Sequence, residues 1–195
     1  MIKNIIISSV LVLFATTFTV AQNTERNNTL NIGIKGGYNL ASVTDEDGNE
    51  TDSRSGFQAG FYAENFIGEH FSIQPEVLFS QQGFKVESNN STYTLKRDYI
   101  NVPIMLKGYL ADSFFIEAGP QIGIAVSKEE SLETSWFNIE EDSEPEAFDW
   151  GINVGTGLKL NATTIGVRYN FGMGDVYEDT DFKNRVLQVY VGLDF

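Results

Sequence analysis

A strict alternation of apolar and polar residues recurs eight times along this chain. The clearest copy is "NRVLQVYVGLDF" at residues 184–195, in which every second residue from Leu187 to Phe195 is apolar. Successive side chains of a strand point to opposite faces, so this period of two predicts a strand with one apolar face. The apolar positions of the eight copies fall within residues 30–38, 57–63, 71–79, 100–106, 114–124, 148–160, 165–171 and 187–195. No segment competes convincingly as a helix, so the sequence predicts an all-β fold.

The connections between the strands alternate between long and short. The long ones cover about residues 41–55, 81–94, 127–147 and 173–184, and the short ones cover 67–70, 110–113 and 161–163. In an up-and-down arrangement, all four long connections fall at one end and both termini fall at the other. Outer-membrane barrels have this layout, with an even strand count, short periplasmic turns and long extracellular loops. The sequence therefore predicts an eight-stranded antiparallel up-and-down transmembrane β-barrel.

Two features indicate which face of the strands looks outward. Glycines are frequent on the polar face, which suits the crowded interior of a small barrel and would only weaken strands on a solvated surface. Aromatic residues gather at both margins of the apolar face, as expected at the two headgroup levels of a membrane. Those near the long loops are Tyr38, Phe57, Phe79, Phe148, Trp150, Tyr169 and Phe171, and those near the short turns are Phe71, Phe114 and Phe195. The apolar face is therefore predicted to contact lipid.

The N-terminus predicts export. Residues 1–21 combine a positive charge at Lys3, an apolar run and a small residue at Ala21, which is typical of a secretory signal peptide cleaved after Ala21. The apolar run is shorter than the roughly 20 residues that a membrane-spanning helix needs. Residues 22–195 then form one barrel domain, and the expected location is the outer membrane of a Gram-negative bacterium.

Charge and cysteine content exclude several classes of protein. The 27 acidic and 13 basic residues give a formal net charge of −14, which argues against nucleic acid because its phosphates require a basic surface. The chain has no cysteine, so it forms neither a disulfide nor a cysteine-ligated metal site. We expect no cofactor, and outer-membrane lipid is the expected partner of the apolar face.

Six segments together carry a family resemblance. They are "SIQPEVLFSQQGF", "DYINVPIMLKGYL", "FFIEAGPQIG", "FDWGINVGTGLKL", "IGVRYNFG" and the closing "NRVLQVYVGLDF". The most specific features are Pro75 followed by Glu76 in the third strand and the spacing from Tyr99 to Pro103 in the fourth. The chain resembles the PorT-like outer-membrane β-barrel family of Bacteroidota over nearly its whole mature length. The resemblance implies an outer-membrane barrel and no particular activity.

The last strand is similar to the assembly signal of outer-membrane barrels. Leu193 and Phe195 supply its apolar positions, and the resemblance implies recognition by the barrel assembly machinery during biogenesis. Gly192 is displaced from the position that glycine usually takes in such a signal. The alternative is a last strand that simply ends on an aromatic belt residue, and in both cases Phe195 faces lipid.

The polar face carries charges of both signs. They are Lys35, Lys107, Lys159 and Arg168 against Glu64, Glu76, Glu117 and Asp149. An eight-stranded barrel has an interior that side chains can fill, and buried charges are tolerated when they are paired. We therefore expect a structural network that closes the lumen, with a narrow solute or ion path along the same residues as the alternative.

Catalytic residues are not evident. Acyl chemistry of the kind found in some membrane barrels commonly needs a serine with a histidine base. The only histidine is His70, in a predicted turn without a serine partner. The protein is therefore expected not to be an enzyme.

The long loops are the expected place for specific contacts. The third predicted loop is acidic and contains Trp136 and Phe137, which are candidates for contact with a loop partner that the sequence does not identify. The acidic residues of the first and third loops favour a solvated surface, and divalent cation binding stays open although the spacing around Gly48 does not fit an EF-hand.

The predicted function is that of a non-enzymatic outer-membrane barrel that acts as a structural component of the envelope or through its extracellular loops. Two alternatives come from other classes. A narrow pore would conduct through the polar lumen. A soluble lipocalin-like barrel would turn the apolar face inward and carry an apolar ligand.

Overall fold

The computed structural model describes residues 30–44, 52–88, 91–134, 138–142, 148–175 and 183–195. These residues form strands in which every pairing is antiparallel. The strands are β1 (Leu30–Thr44), β2 (Asp52–Phe66), β3 (Phe71–Ser88), β4 (Ser91–Tyr109), β5 (Phe114–Thr134), β6 (Asn138–Asp142), β7 (Phe148–Leu160), β8 (Thr163–Asp175) and β9 (Lys183–Asp194). Among the described residues, no helical segment has the length and hydrophobicity that spanning a bilayer requires.

Eight of these strands close into a barrel. Each pairs with the next along the chain, with β5 pairing β7, and the ring closes where β1 pairs with β9, for example Gly36 with Val191. The remaining strand, β6, pairs with the far part of β5 and lies outside the ring. The predicted eight-stranded antiparallel barrel is therefore confirmed.

The apolar face of the strands lies on the outside of the barrel. Exposed apolar side chains include Phe61, Val154 and Val191, whereas the inward positions hold buried polar residues such as Lys35 and Gln58. A soluble protein has the opposite distribution, with apolar side chains inside and polar side chains outside. The alternative of a soluble barrel with an apolar ligand cavity is therefore wrong.

The two ends of the barrel differ in the length of their connections. Short turns at 67–70, 110–113 and 161–162 lie at one end, where the start of β1 also meets the end of β9 through the pairing of Gly33 with Asp194. At the last turn, Asn161 has a φ of 55°, a left-handed conformation that asparagine tolerates better than most residues. Outer-membrane barrels place their short turns on the periplasmic side.

Strands β3, β4 and β5 are longer than predicted. They have 18, 19 and 21 residues against 12 in β9, so they continue through the predicted connection at 81–94 and into that at 127–147. The predicted extent of these two loops is wrong. Beyond the membrane neither face of a strand needs to be apolar, so the period of two that reveals the other strands is lost there.

Gly33 shows why inward positions of the barrel take glycine. A Cβ atom built there would lie 2.5 Å from Cζ of Tyr62 and 2.5 Å from the carbonyl oxygen of Leu193. Gly36, on the outer face of the same strand, would meet nothing closer than the carbonyl oxygen of Gln58 at 4.0 Å. The tyrosine ring therefore occupies the space that a side chain at Gly33 would need.

We predict that Gly33→Ala destabilises the barrel by about 1–3 kcal/mol, the usual cost of overpacking a filled interior. Gly36→Ala makes the same chemical change on the same strand and is expected to cost little. The measurement is the free energy of unfolding in urea, with each variant folded into lipid vesicles. Equal stability of the two variants would contradict a filled lumen at Gly33.

Candidate functional site

The centre of the lumen holds one arginine between two glutamates. Arg168 on β8 donates from Nη1 and Nη2 to the two carboxylate oxygens of Glu76 on β3, both at 2.9 Å. It also donates from Nε and Nη2 to Glu117 on β5, at 2.9 and 3.1 Å. The planar guanidinium suits two bidentate carboxylates at once, because its five donors have a fixed geometry.

A lysine completes this central cluster, which comprises Lys35, Glu76, Glu117 and Arg168. Nζ of Lys35 lies 2.6 Å from Oε1 of Glu76 and 4.0 Å from the ring centroid of Tyr190. The hydroxyl of Tyr190 donates to Oε1 of Glu117 at 2.9 Å. Two cations and two anions therefore balance in a part of the barrel that is almost inaccessible to solvent.

A second group of charges, the turn-side cluster, lies closer to the short turns. Glu64 on β2 binds Lys159, lies 3.5 Å from Nζ of Lys107 and accepts a 2.6 Å hydrogen bond from the hydroxyl of Tyr109. Lys159 also lies 2.8 Å from Oδ2 of Asp194, which accepts a hydrogen bond from Tyr62 through its other oxygen. This cluster again holds two cations and two anions.

Most of the charged residues that the sequence placed in the lumen meet in these two clusters. Asp149 lies apart from them, near the long-loop end, where its Oδ2 accepts a 2.9 Å hydrogen bond from Nδ2 of Asn184. The sequence analysis missed Asp194 and the lumen tyrosines Tyr62 and Tyr190. The signal was present, because all three stand at polar-face positions of their strands.

Amide side chains fill the lumen beside the central cluster, toward the long loops. Asn170 donates to Asn153 at 3.0 Å, and Asn153 donates to Gln121 at 3.1 Å. All three are buried, and the apolar side chains of Leu78 and Met105 at other inward positions are buried too. Side chains from the described strands thus fill the lumen at several levels between its two ends.

The lumen is not arranged as a metal centre or as a histidine-based catalytic site in the part of the chain that is described. No group of three or more histidine, aspartate or glutamate residues there is placed to hold a metal ion. His70 lies exposed in the first short turn. The candidate loop residues Trp136 and Phe137 and the predicted signal peptide lie outside the described residues.

The two residues of the predicted assembly signal lie on the outer surface of the closing strand. Leu193 and Phe195 are exposed, and the backbone amide of Phe195 donates to the carbonyl oxygen of Ile32 at 2.9 Å. The end of β9 and the residue that follows it therefore present both apolar side chains to the surroundings of the barrel.

A closed barrel with an apolar exterior, paired charges inside and short turns at one end defines an integral outer-membrane β-barrel protein. Residues 20–178 match the sequence model of the outer membrane protein beta-barrel domain, and the chain belongs to this family. The protein therefore resides in the outer membrane, as the sequence predicted.

Two solved structures are similar to this chain in fold. Ail, the attachment invasion locus protein of Yersinia pestis, has a TM-score of 0.56 at 13% identity, covering 85% of this chain and 98% of Ail. Neisserial surface protein A has a TM-score of 0.52 at 15% identity, covering 84% of this chain and 97% of that protein. No curated protein matches the sequence. At these identities the likeness shows the fold alone.

Proposed function

We propose that this protein is a non-enzymatic envelope protein whose lumen is sealed and whose specific contacts are made at its extracellular end. The observation that supports a sealed lumen most directly is the central cluster. Glu76, on β3, is bound at the same time by Arg168 from β8 and by Lys35 from β1. Ion pairs that join β1, β3, β5 and β8 across the interior occupy the space through which a solute would pass.

The pairing of the lumen charges also supports a non-enzymatic role. Each carboxylate of the central cluster is held by the guanidinium of Arg168 and by at least one further donor. A general acid, base or nucleophile must reach a substrate, whereas these groups are buried and bound to one another. Their arrangement therefore favours stability and closure over chemistry.

A sealed lumen makes a direct electrical prediction. The purified protein is expected to give no stepwise conductance in a planar lipid bilayer. The triple variant Glu76→Ala, Glu117→Ala, Arg168→Ala removes the side chains of the central cluster and is expected to give small, measurable steps. A band that shifts between unheated and boiled gel samples confirms that each preparation is folded. Steps from the unaltered protein would overturn the sealed lumen and favour the narrow pore.

The far parts of β3, β4 and β5, together with β6, form a sheet at the extracellular end that we call the strand platform. This sheet supports a role in binding other molecules. The far parts of β3, β4 and β5 pair with one another through Ser88, Ser91 and Thr134, and β6 extends this sheet by one more strand. We propose that a partner of the envelope or of the cell exterior binds there.

The proposal includes how the protein reaches the membrane. We propose that residues 1–21 are a signal peptide cleaved after Ala21, and that the barrel assembly machinery recognises β9 through Leu193 and Phe195. The exposure of both side chains on the closing strand supports this role. Within the outer-membrane family, we propose the PorT-like group, on the segments that include Pro75 and Tyr99.

A further inference from the structure

A groove of about 250 Å³ lies on the outside of the barrel near the long-loop end. It is formed where β7, β8 and β9 lie side by side, and it combines apolar walls with two cations. Its lining residues are Ile152, Phe171, Gly172, Met173, Lys183 and Arg185. Both cations point away from the lumen, because they continue the outward series of Leu187 and Val189 on β9.

The register fixes the position of the groove relative to the membrane. Ile152, Phe171 and Arg185 are paired in one row across the three strands. Phe171 and its neighbour Trp150 on β7 are exposed aromatic residues of the belt near the long loops. Since aromatic belts mark the headgroup level of a bilayer, the two cations lie at the level of the outer-leaflet headgroups.

Arg185 is held in place by the backbone. Its Nη1 donates to the carbonyl oxygens of Gly172 and Asn184, at 2.9 and 3.1 Å. Its guanidinium carbon lies 5.7 Å from the ring centroid of Phe171. These contacts use one edge of the guanidinium and orient it, and among the described residues no acceptor binds its remaining donors. Lys183 likewise forms no ion pair with a side chain that the structure describes.

We propose that this groove binds the phosphate-bearing headgroup of an outer-membrane lipid. A fixed guanidinium with free donors and a nearby ammonium match a phosphate, which accepts several charge-assisted hydrogen bonds. The exposed side chain of Ile152, in the same row as Phe171 and Arg185, would contact the first carbons of the acyl chains. A soluble anion would contact only the two cations of the groove. A lipid would contact the cations through its phosphate and the apolar lining residues through its acyl chains. The inference uses the outer-membrane location and is independent of the sealed lumen.

The test is native mass spectrometry of the detergent-solubilised protein with bisphosphorylated lipid A as the probe. The double variant Lys183→Gln, Arg185→Gln is expected to bind this lipid more weakly, by roughly fivefold for each cation removed. Lipid A from which both phosphates have been removed is expected to bind the unaltered protein and the double variant equally weakly.

The control variant is Lys96→Gln, which removes an outward cation on β4, a strand that does not line the groove. It is expected to bind lipid A as the unaltered protein does, and the unheated gel band shows that each variant is folded. Equal binding by the double variant would overturn the proposal, and so would an equal loss in the Lys96 control. Displacement of the lipid by inorganic phosphate at equal concentration would also overturn it, since the site would then be one for a free anion.

Discussion

Arg168→Met is expected to lower the free energy of unfolding by about 3–5 kcal/mol, the range found when one partner of a buried ion pair is removed. Glu76 and Glu117 would keep their charges in the interior with Lys35 as their only cation in the central cluster. Methionine replaces the unbranched part of the arginine side chain by an apolar chain of the same shape, so most of the loss would come from the unpaired carboxylates. The measurement is urea unfolding of the barrel in lipid vesicles, followed by tryptophan fluorescence.

A second variant separates the electrostatic explanation from a packing defect. Adding Glu117→Gln to Arg168→Met removes the carboxylate that has lost its cation and leaves Lys35 paired with Glu76. The double variant is expected to be more stable than Arg168→Met alone, with a coupling energy of about 0.5–3 kcal/mol. If the two changes simply add, or if Arg168→Met is as stable as the unaltered barrel, the central cluster does not stabilise the fold by charge pairing.

The faces of the strands could be predicted from the sequence because the signal is local. A strand needs only its own residues to show a period of two, so the outward position of Val191 and the inward position of Lys35 followed directly. The same parity placed all eight predicted charges on the polar face. The barrel then required only that the strands pair in chain order, which short turns favour.

The pairing of the charges could not be predicted in the same way. Lys35 meets Glu76 across 41 positions of the sequence, and Arg168 meets Glu76 across 92. Which inward residues meet depends on the register of every strand between them and on the tilt of the barrel. Asp149 illustrates the difficulty, since it shares the polar face with the other charges yet lies near the long loops, beside Asn184.

In the strand platform, the alternation of apolar and polar residues no longer predicts the strands. In β5, alternation is clear while one face meets lipid, up to about Ile124, and it ends where the strand rises above the membrane. The structure continues the strand to Thr134 because backbone pairing with β4 and β6 needs no apolar face. The length of the alternating segment therefore corresponds to the part of the strand that faces lipid. It underestimates the full length of the strand.

Val189→Arg is expected to destabilise the barrel by about 2–4 kcal/mol, the cost of an arginine near the middle of the bilayer on the lipid-facing surface of a barrel. Val189 is exposed on the outer face of β9, about midway between Arg185 at the long-loop end and Phe195 at the turn end. A guanidinium there would lose its hydration or pull water and headgroups into the hydrocarbon. The free energy of urea unfolding in lipid vesicles measures the change.

Ile67→Arg is the matched control, because it adds the same side chain at an exposed apolar position in the first short turn, outside the hydrocarbon. It is expected to change the stability by less than about 1 kcal/mol. If Val189→Arg costs no more than Ile67→Arg, the outer face of β9 does not contact hydrocarbon. A large difference between the two variants requires lipid around the middle of the barrel, since water would solvate both arginines equally.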